Sequence, residues 1–214
     1  MWIRYCLRLC CQSIAQSSEI SINERLSEMS EVAEQFKTLL LPISSFYADA
    51  DRPLPEFTKI SGDAMPEPYR QLLVHENDMT PTLEAYWGMK IHLRLIAKEV
   101  EDQVMHRQVV LEANSKNIPV EYGAIRIYLE RFGDEPRQMI LESYRPLGTI
   151  LSDFEIVHDS HPSAYFKVVA DDHIAQSLGV DVGVDLYGRC NVLVDPEGHH
   201  LAEVIEVLPT MSAE

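Results

Sequence analysis

Arg107 is the residue whose surroundings demand chemistry. In Val104-Met105-His106-Arg107-Gln108-Val109-Val110-Leu111, a period of two puts Met105, Arg107, Val109 and Leu111 on one face and His106, Gln108 and Val110 on the other. A guanidinium among aliphatic neighbours is costly unless an anion meets it. Either an internal carboxylate such as Glu112 or Glu121 pairs with it, or a bound acid does. Upstream, the tract from Leu72 to Glu84 carries Met79 and Thr80 at the opening of a helix, leading into three strand-like segments of which this is one.

The elements that must position these residues can be read from periodicity and punctuation. Val32, Phe36, Leu39 and Leu40 predict an amphipathic helix over about 30–41, stopped by Pro42, with a loop over 43–66. A helix over 68–75 and a second with Thr80 as N-cap, Pro81 at its first position and Gly88 at its end make a helical hairpin. Alternation then predicts strands over 89–98, 104–111 and 120–132, a helix over 135–143, a break at Pro146-Leu147-Gly148 and a helical resumption over 149–154. A strand over 165–170, a helix over 172–178 and a hairpin of 188–194 with 200–208 complete the chain. The expected fold class is α+β, a largely antiparallel sheet with short helices at its edge. Residues 1–28 are expected to be a disordered extension and 29–214 a single domain.

Composition narrows the partners. With 34 acidic against 18 basic side chains the net charge is -16, a field that repels nucleic acid and anionic lipid, so neither is an expected partner. No apolar run approaches the roughly 20 residues of a membrane helix. Cys6, Cys10 and Cys11 crowd one end and Cys190 stands alone, which is neither a disulfide framework nor a zinc pattern and fits a reduced, cytoplasmic protein. His199-His200 lacks a third spaced ligand, so no metal is expected.

Four collinear pieces carry a resemblance. Leu72-Leu73 followed by Met79-Thr80, then Arg107-x-Val109-x-Leu111, then Pro146-Leu147-Gly148, then Leu186-Tyr187-Gly188-Arg189 leading to a hairpin ending Glu206-Val207-Leu208-Pro209 resemble the chorismate pyruvate-lyase (4-hydroxybenzoate synthase) family and its chorismate lyase-like relatives, over roughly 68–209. The resemblance implies an antiparallel sheet with helical flaps over an internal ligand pocket. It also implies a cofactor-free carbon–oxygen lyase that splits chorismate, a dianion, into 4-hydroxybenzoate and pyruvate.

By the same resemblance Arg107 would clamp a carboxylate, and Met79, Leu147 and Gly148 would shape the lid. Either Glu206 or Glu203 would supply the acidic residue near the last strand's end. These two lie on opposite strand faces, so at most one can enter the pocket. Arg126 would keep the facing, though not the spacing, of a basic residue in the lyases. The stretch from His158 to Val184 is longer than the family's pattern. The alternative expectation is a non-catalytic sensor of an aromatic acid that keeps a lyase-like pocket. Either way the expected partner is a small aromatic carboxylate such as chorismate or 4-hydroxybenzoate.

Overall fold

The computed structural model describes residues 33–113 and 117–211, so the expected extension over 1–28 lies outside the described residues. Contacts divide the chain after Thr38. Of the first unit only 33–38 are described, and they are helical.

The second unit begins with α1 (Leu41–Asp49) and the short strand β1 (Phe57–Ile60), followed by α2 (Tyr69–Leu73) and α3 (Met79–Trp87). The meander β2 (Ile91–Glu101), β3 (Val104–Ala113) and β4 (Ile118–Tyr128) comes next, then α4 (Asp134–Glu142) and α5 (Leu147–Asp153). Strand β5 (Asp159–Val169), helix α6 (Asp172–Leu178), and the hairpin β6 (Asp185–Val194) and β7 (His200–Leu208) finish it. The fold is α+β, and no described helix is long and apolar enough to cross a membrane.

Two meanders, β2-β3-β4 and β5-β6-β7, fuse where β7 pairs with β4, and β1 adds at the far edge beside β5. The order is β1-β5-β6-β7-β4-β3-β2, antiparallel throughout. Helices α1 and α6 cover one face at β4 and β7. That is why alternate residues on both faces of β3 and β4 are apolar and buried rather than alternating with solvent. The other face carries two apolar clusters. One joins Leu72, Met79 and Leu83 to Val109 and Leu111, and the other joins Ile140, Leu147 and Ile150 to Met105, Ile125 and Leu193.

Several boundaries differ from the sequence expectation for identifiable reasons. Pro42 does not end helical structure; it occupies the first turn of α1, where its missing N–H has no partner to lose, so 43–66 holds α1 and β1 rather than loop alone. Asp78, not Thr80, is the N-cap of α3, which puts Pro81 within the first turn. Pro146 is the N-cap of α5, so Leu147 and Gly148 are helical instead of forming a break. Residues 158–184, outside the family pattern, supply β5 and α6.

Gly188 of β6 marks the tightest approach in the sheet. A Cβ there would run into the Glu206 carbonyl oxygen and the Phe166 ring, neither of which can yield without moving a strand or a fully buried aromatic. Gly188→Ala should therefore lower stability by about 2–3 kcal/mol, the usual cost of overpacking a dense core, seen as a reduced urea midpoint. An unchanged midpoint would contradict that close approach.

Candidate functional site

The pleat of the sheet builds the site in rows. Arg107 of β3, Ile125 of β4, Val204 of β7 and Asn191 of β6 are register partners across four strands. The next row along is Val109, Gly123, Glu206 and Arg189, and beyond it Leu111 opposes Glu121. These rows floor a cavity between the two apolar clusters. Its roof is Asp78, Met79 and Thr80 at the start of α3 with Pro146, Leu147 and Gly148 at the start of α5. About 570 Å³ of atom-free space, part of it open to solvent, lies between floor and roof.

Gly148 lets the roof helices meet, since a Cβ there would lie 3.2 Å from Thr80 Oγ1. Gly123 makes room in the floor, because a Cβ would lie 3.2 Å from Glu121 Oε1.

Arg107 is 2% exposed, and its Nε and Nη1 have no hydrogen-bond partner among the described residues. Neither glutamate considered for it answers: Glu112 accepts from Arg94, and Glu121 Oε2 is itself buried without a partner. Burial pulls Arg107 down to about 10, so it remains a cation at neutral pH. Glu121 is pushed well above the usual carboxylate range, first by burial and then by the charge of Glu206, against a smaller opposing effect of Arg189. Asn191 donates to Ser160 Oγ at 2.9 Å while its Oδ1 stays unpaired. Arg107, Glu121 and Asn191 thus present unmet hydrogen-bonding groups to one cavity.

Glu206 differs from them. It accepts from Arg189 Nε in a short hydrogen bond, and Arg189 is fully enclosed. The rest of that guanidinium donates to the backbone carbonyls of Leu73, His75 and Asn77, at 3.3, 2.8 and 3.1 Å. These bonds tie the connection between α2 and α3 to this side chain.

Of the residues singled out from sequence, Met79, Arg107, Leu147, Gly148 and Glu206 line the cavity. Glu203 and Arg126 do not. They are register partners on the opposite face, joined at 2.9 Å, with Tyr128 OH donating to Glu203 at 2.8 Å. Sequence reading assigned no role to Asn191 or to Arg189, although Arg189 closed one of the quoted motifs. Glu121 entered only as a partner for Arg107. The strand register puts it on the Arg107 face of the floor, and nothing local in the sequence said that Glu206 would be claimed by another arginine. At the β6–β7 turn, Asp195, Glu197 and His199 come within metal-ligand range of one another, but Asp195 Oδ1 accepts the Glu197 and His199 amides and shapes the turn.

No family model matches the chain, and no curated protein does. Among solved structures it is similar to the effector domain of PhnF from Mycobacterium smegmatis, at 13% identity and TM-score 0.48, covering 64% of this chain and 95% of that one. It is also similar to the ligand-binding domain of a transcriptional regulator assigned to the GntR family from Bordetella bronchiseptica, at 16% identity and TM-score 0.41, covering 56% and 85%. A third is the C-terminal domain of histidine utilization repressor from Pseudomonas syringae, at 9% identity and TM-score 0.39, covering 58% and 98%.

By their descriptions, the solved structures to which the chain is similar are effector and ligand-binding domains of regulators rather than lyases. The expectation of a carbon–oxygen lyase making 4-hydroxybenzoate is corrected accordingly and not carried forward. Among the described lining residues Arg107 is the single cation, and Asp78, Glu121 and Glu206 are the acidic groups. What remains of the resemblance is the layout, a largely antiparallel sheet with helices roofing a buried pocket.

The Glu121 environment carries a pH signature. Between the ordinary unfolded value near 4.3 and its raised folded value, the native state binds the extra proton, so stability falls as pH rises across that window. Glu121→Gln removes the titration, and its urea stability relative to wild type should improve steadily from about pH 4.3 upward before levelling. A pH-independent difference between the two proteins would show that Glu121 is ionised in the fold.

Proposed function

We propose that the chain is a non-catalytic binding module that senses a small aromatic monocarboxylate. One observation carries the reading: buried groups of Arg107, Glu121 and Asn191 that have no partner among the described residues converge on one cavity. Buried polar groups are almost always satisfied, and a lone cation buried without a partner costs several kcal/mol, so a ligand that supplies the missing anion is the economical account.

The carboxylate sits on Arg107 Nε and Nη1, a charge-assisted contact in the geometry arginine favours. The ring lies against Val109, Ile125, Leu193, Met79 and Leu147. Glu121 lies four residues along β4 from the Arg107 row, roughly 13 Å at the usual strand rise, and meets the other end of the ligand. With its proton retained it acts as a donor to a hydroxyl or carbonyl there. A second carboxylate at that end would face Glu121 and Glu206, which selects monoanions over dianions. The regulator domains named above are effector or ligand-binding domains by their descriptions, and the same kind of role is proposed for this chain.

Titration of the purified protein with 4-hydroxybenzoate, benzoate and the neutral isostere benzamide tests the reading. The acids should raise the melting temperature and benzamide should not, with about 2.7 kcal/mol of stabilisation at a hundredfold excess over Kd. Arg107→Met should fold at least as stably as wild type, because an unpaired buried cation is gone, and should lose roughly 10- to 100-fold in affinity for the acids. Equal binding of benzamide, or an unaffected Arg107→Met protein, would refute the proposed clamp.

A further inference from the structure

Asp78 caps the N-terminus of α3 in position but not in bonding: its side chain makes no capping hydrogen bond. Both carboxylate oxygens turn instead to His158 Nε2, at 3.1 and 2.9 Å. His158 stands just before β5, and its Nδ1 lies 2.8 Å from the Ile156 carbonyl oxygen. Ile156 in turn donates its N–H to Leu151 O of α5 at 2.9 Å. A continuous chain of hydrogen bonds therefore runs from the first residue of one roof helix to the body of the other.

Hydrogen-bond accounting fixes the charge of this histidine. A carbonyl oxygen only accepts, so Nδ1 carries a proton; the carboxylate only accepts, so Nε2 carries one too. The ring is an imidazolium, and the contact is an ion pair that both side chains keep 80–85% buried, at 15% and 20% exposure. The neighbouring charges are Asp78 across the gap and Asp159 beside it on β5, both negative.

Building on the reading of the cavity as a ligand site, we infer that the Asp78–His158 ion pair latches the roof over the cavity, and that loss of the His158 proton releases it. Asp78 lines the cavity and Thr80, two residues on, packs against Gly148, so parting Asp78 from His158 loosens the seam between the two roof helices. The hydrogen bond to Asp78 holds the His158 proton above the ordinary histidine range, against a smaller opposing effect of burial. The latch is thus fully formed below about pH 6.5 and is lost as pH climbs through the raised folded value.

The histidine on the other side of the roof segment behaves oppositely. His75 donates from Nε2 to Leu72 O at 2.7 Å and accepts at Nδ1 from the Asn77 N–H at 3.1 Å, facing Arg189, so it is neutral. Burial, and then the Arg189 charge, push it down, while the Leu72 carbonyl and Glu206 act the other way. Its titration therefore lies on the acid side and does not mimic that of His158.

Hydrogen–deuterium exchange on the ligand-free full chain at about pH 6 and about pH 8.5, corrected for intrinsic rates, reads the latch directly. Wild-type peptides spanning Asp78–Leu83 and Leu147–Leu151 should lose roughly three- to tenfold in protection at the higher pH, the scale of a partly exposed charge-assisted hydrogen bond. His158→Gln and Asp78→Asn should show the loosened level at both pH values, and 4-hydroxybenzoate affinity for wild type should fall by the same factor as pH rises. Equal wild-type protection at both pH values, or an undiminished pH response in His158→Gln, would overturn the latch. A pH response in exchange without binding of any aromatic acid would instead sink the ligand reading and leave the latch standing.

Discussion

Arg189 holds the centre of the molecule. A fully enclosed guanidinium can be carried only where its donors are met, and here Glu206 and three backbone carbonyls meet them. The carbonyls belong to the segment between α2 and α3, so the same charge that neutralises Glu206 on β7 also fixes where α3 begins. Gly188, one residue before it, lets β6, β7 and the Phe166 ring close up around that point. Take the arginine away and Glu206 becomes a buried unpaired carboxylate while the roof segment loses its anchor, two penalties on one side chain.

The second buried arginine gains its meaning from the first. Arg107 lies on the same face, one row along the floor, and Glu206, the acid of the neighbouring row, is already bound to Arg189. Glu121, the other acid of the floor, is driven toward its protonated form by burial and by Glu206, so it cannot serve as the counter-ion either. The fold therefore satisfies one cation internally and leaves one facing a cavity. For a domain whose net stability is of order 5–15 kcal/mol, an unmet buried charge is a large fraction of the total, and such a feature persists where a ligand gives it purpose.

Much of this was legible in the sequence, and the reasons it was or was not are physical. Strict period-2 alternation put Arg107 with Val109 and Leu111 on the covered face, and the same parity separated Glu203 from Glu206. The β6–β7 hairpin followed from Asp195-Pro196-Glu197-Gly198, and the Asp172–Leu178 helix from its own pattern, with Asp171 capping it through the Ile174 N–H. Helix starts at prolines were misjudged, because Pro42 and Pro146 punctuate without saying on which side of them the helix lies. The pairing of β7 with β4, which carries Glu206 beside Gly123, joins residues about eighty apart and has no local signature. The same non-locality hid the Arg189 anchor and the Asp78–His158 pair. The enzyme expectation came from collinear motifs that describe a layout, and layout does not distinguish a site that transforms a ligand from one that holds it.

The central claim is that the cavity exists to receive an acid on Arg107. A crystal structure of the protein with 4-hydroxybenzoate tests it most directly. The account predicts the carboxylate within hydrogen-bond distance of Arg107 Nε and Nη1, the ring between Val109 and Leu147, and the hydroxyl toward Glu121, with the Arg189–Glu206 pair unchanged. A ligand bound elsewhere, or an Arg107 side chain turned onto a protein carboxylate with the cavity collapsed, would contradict it.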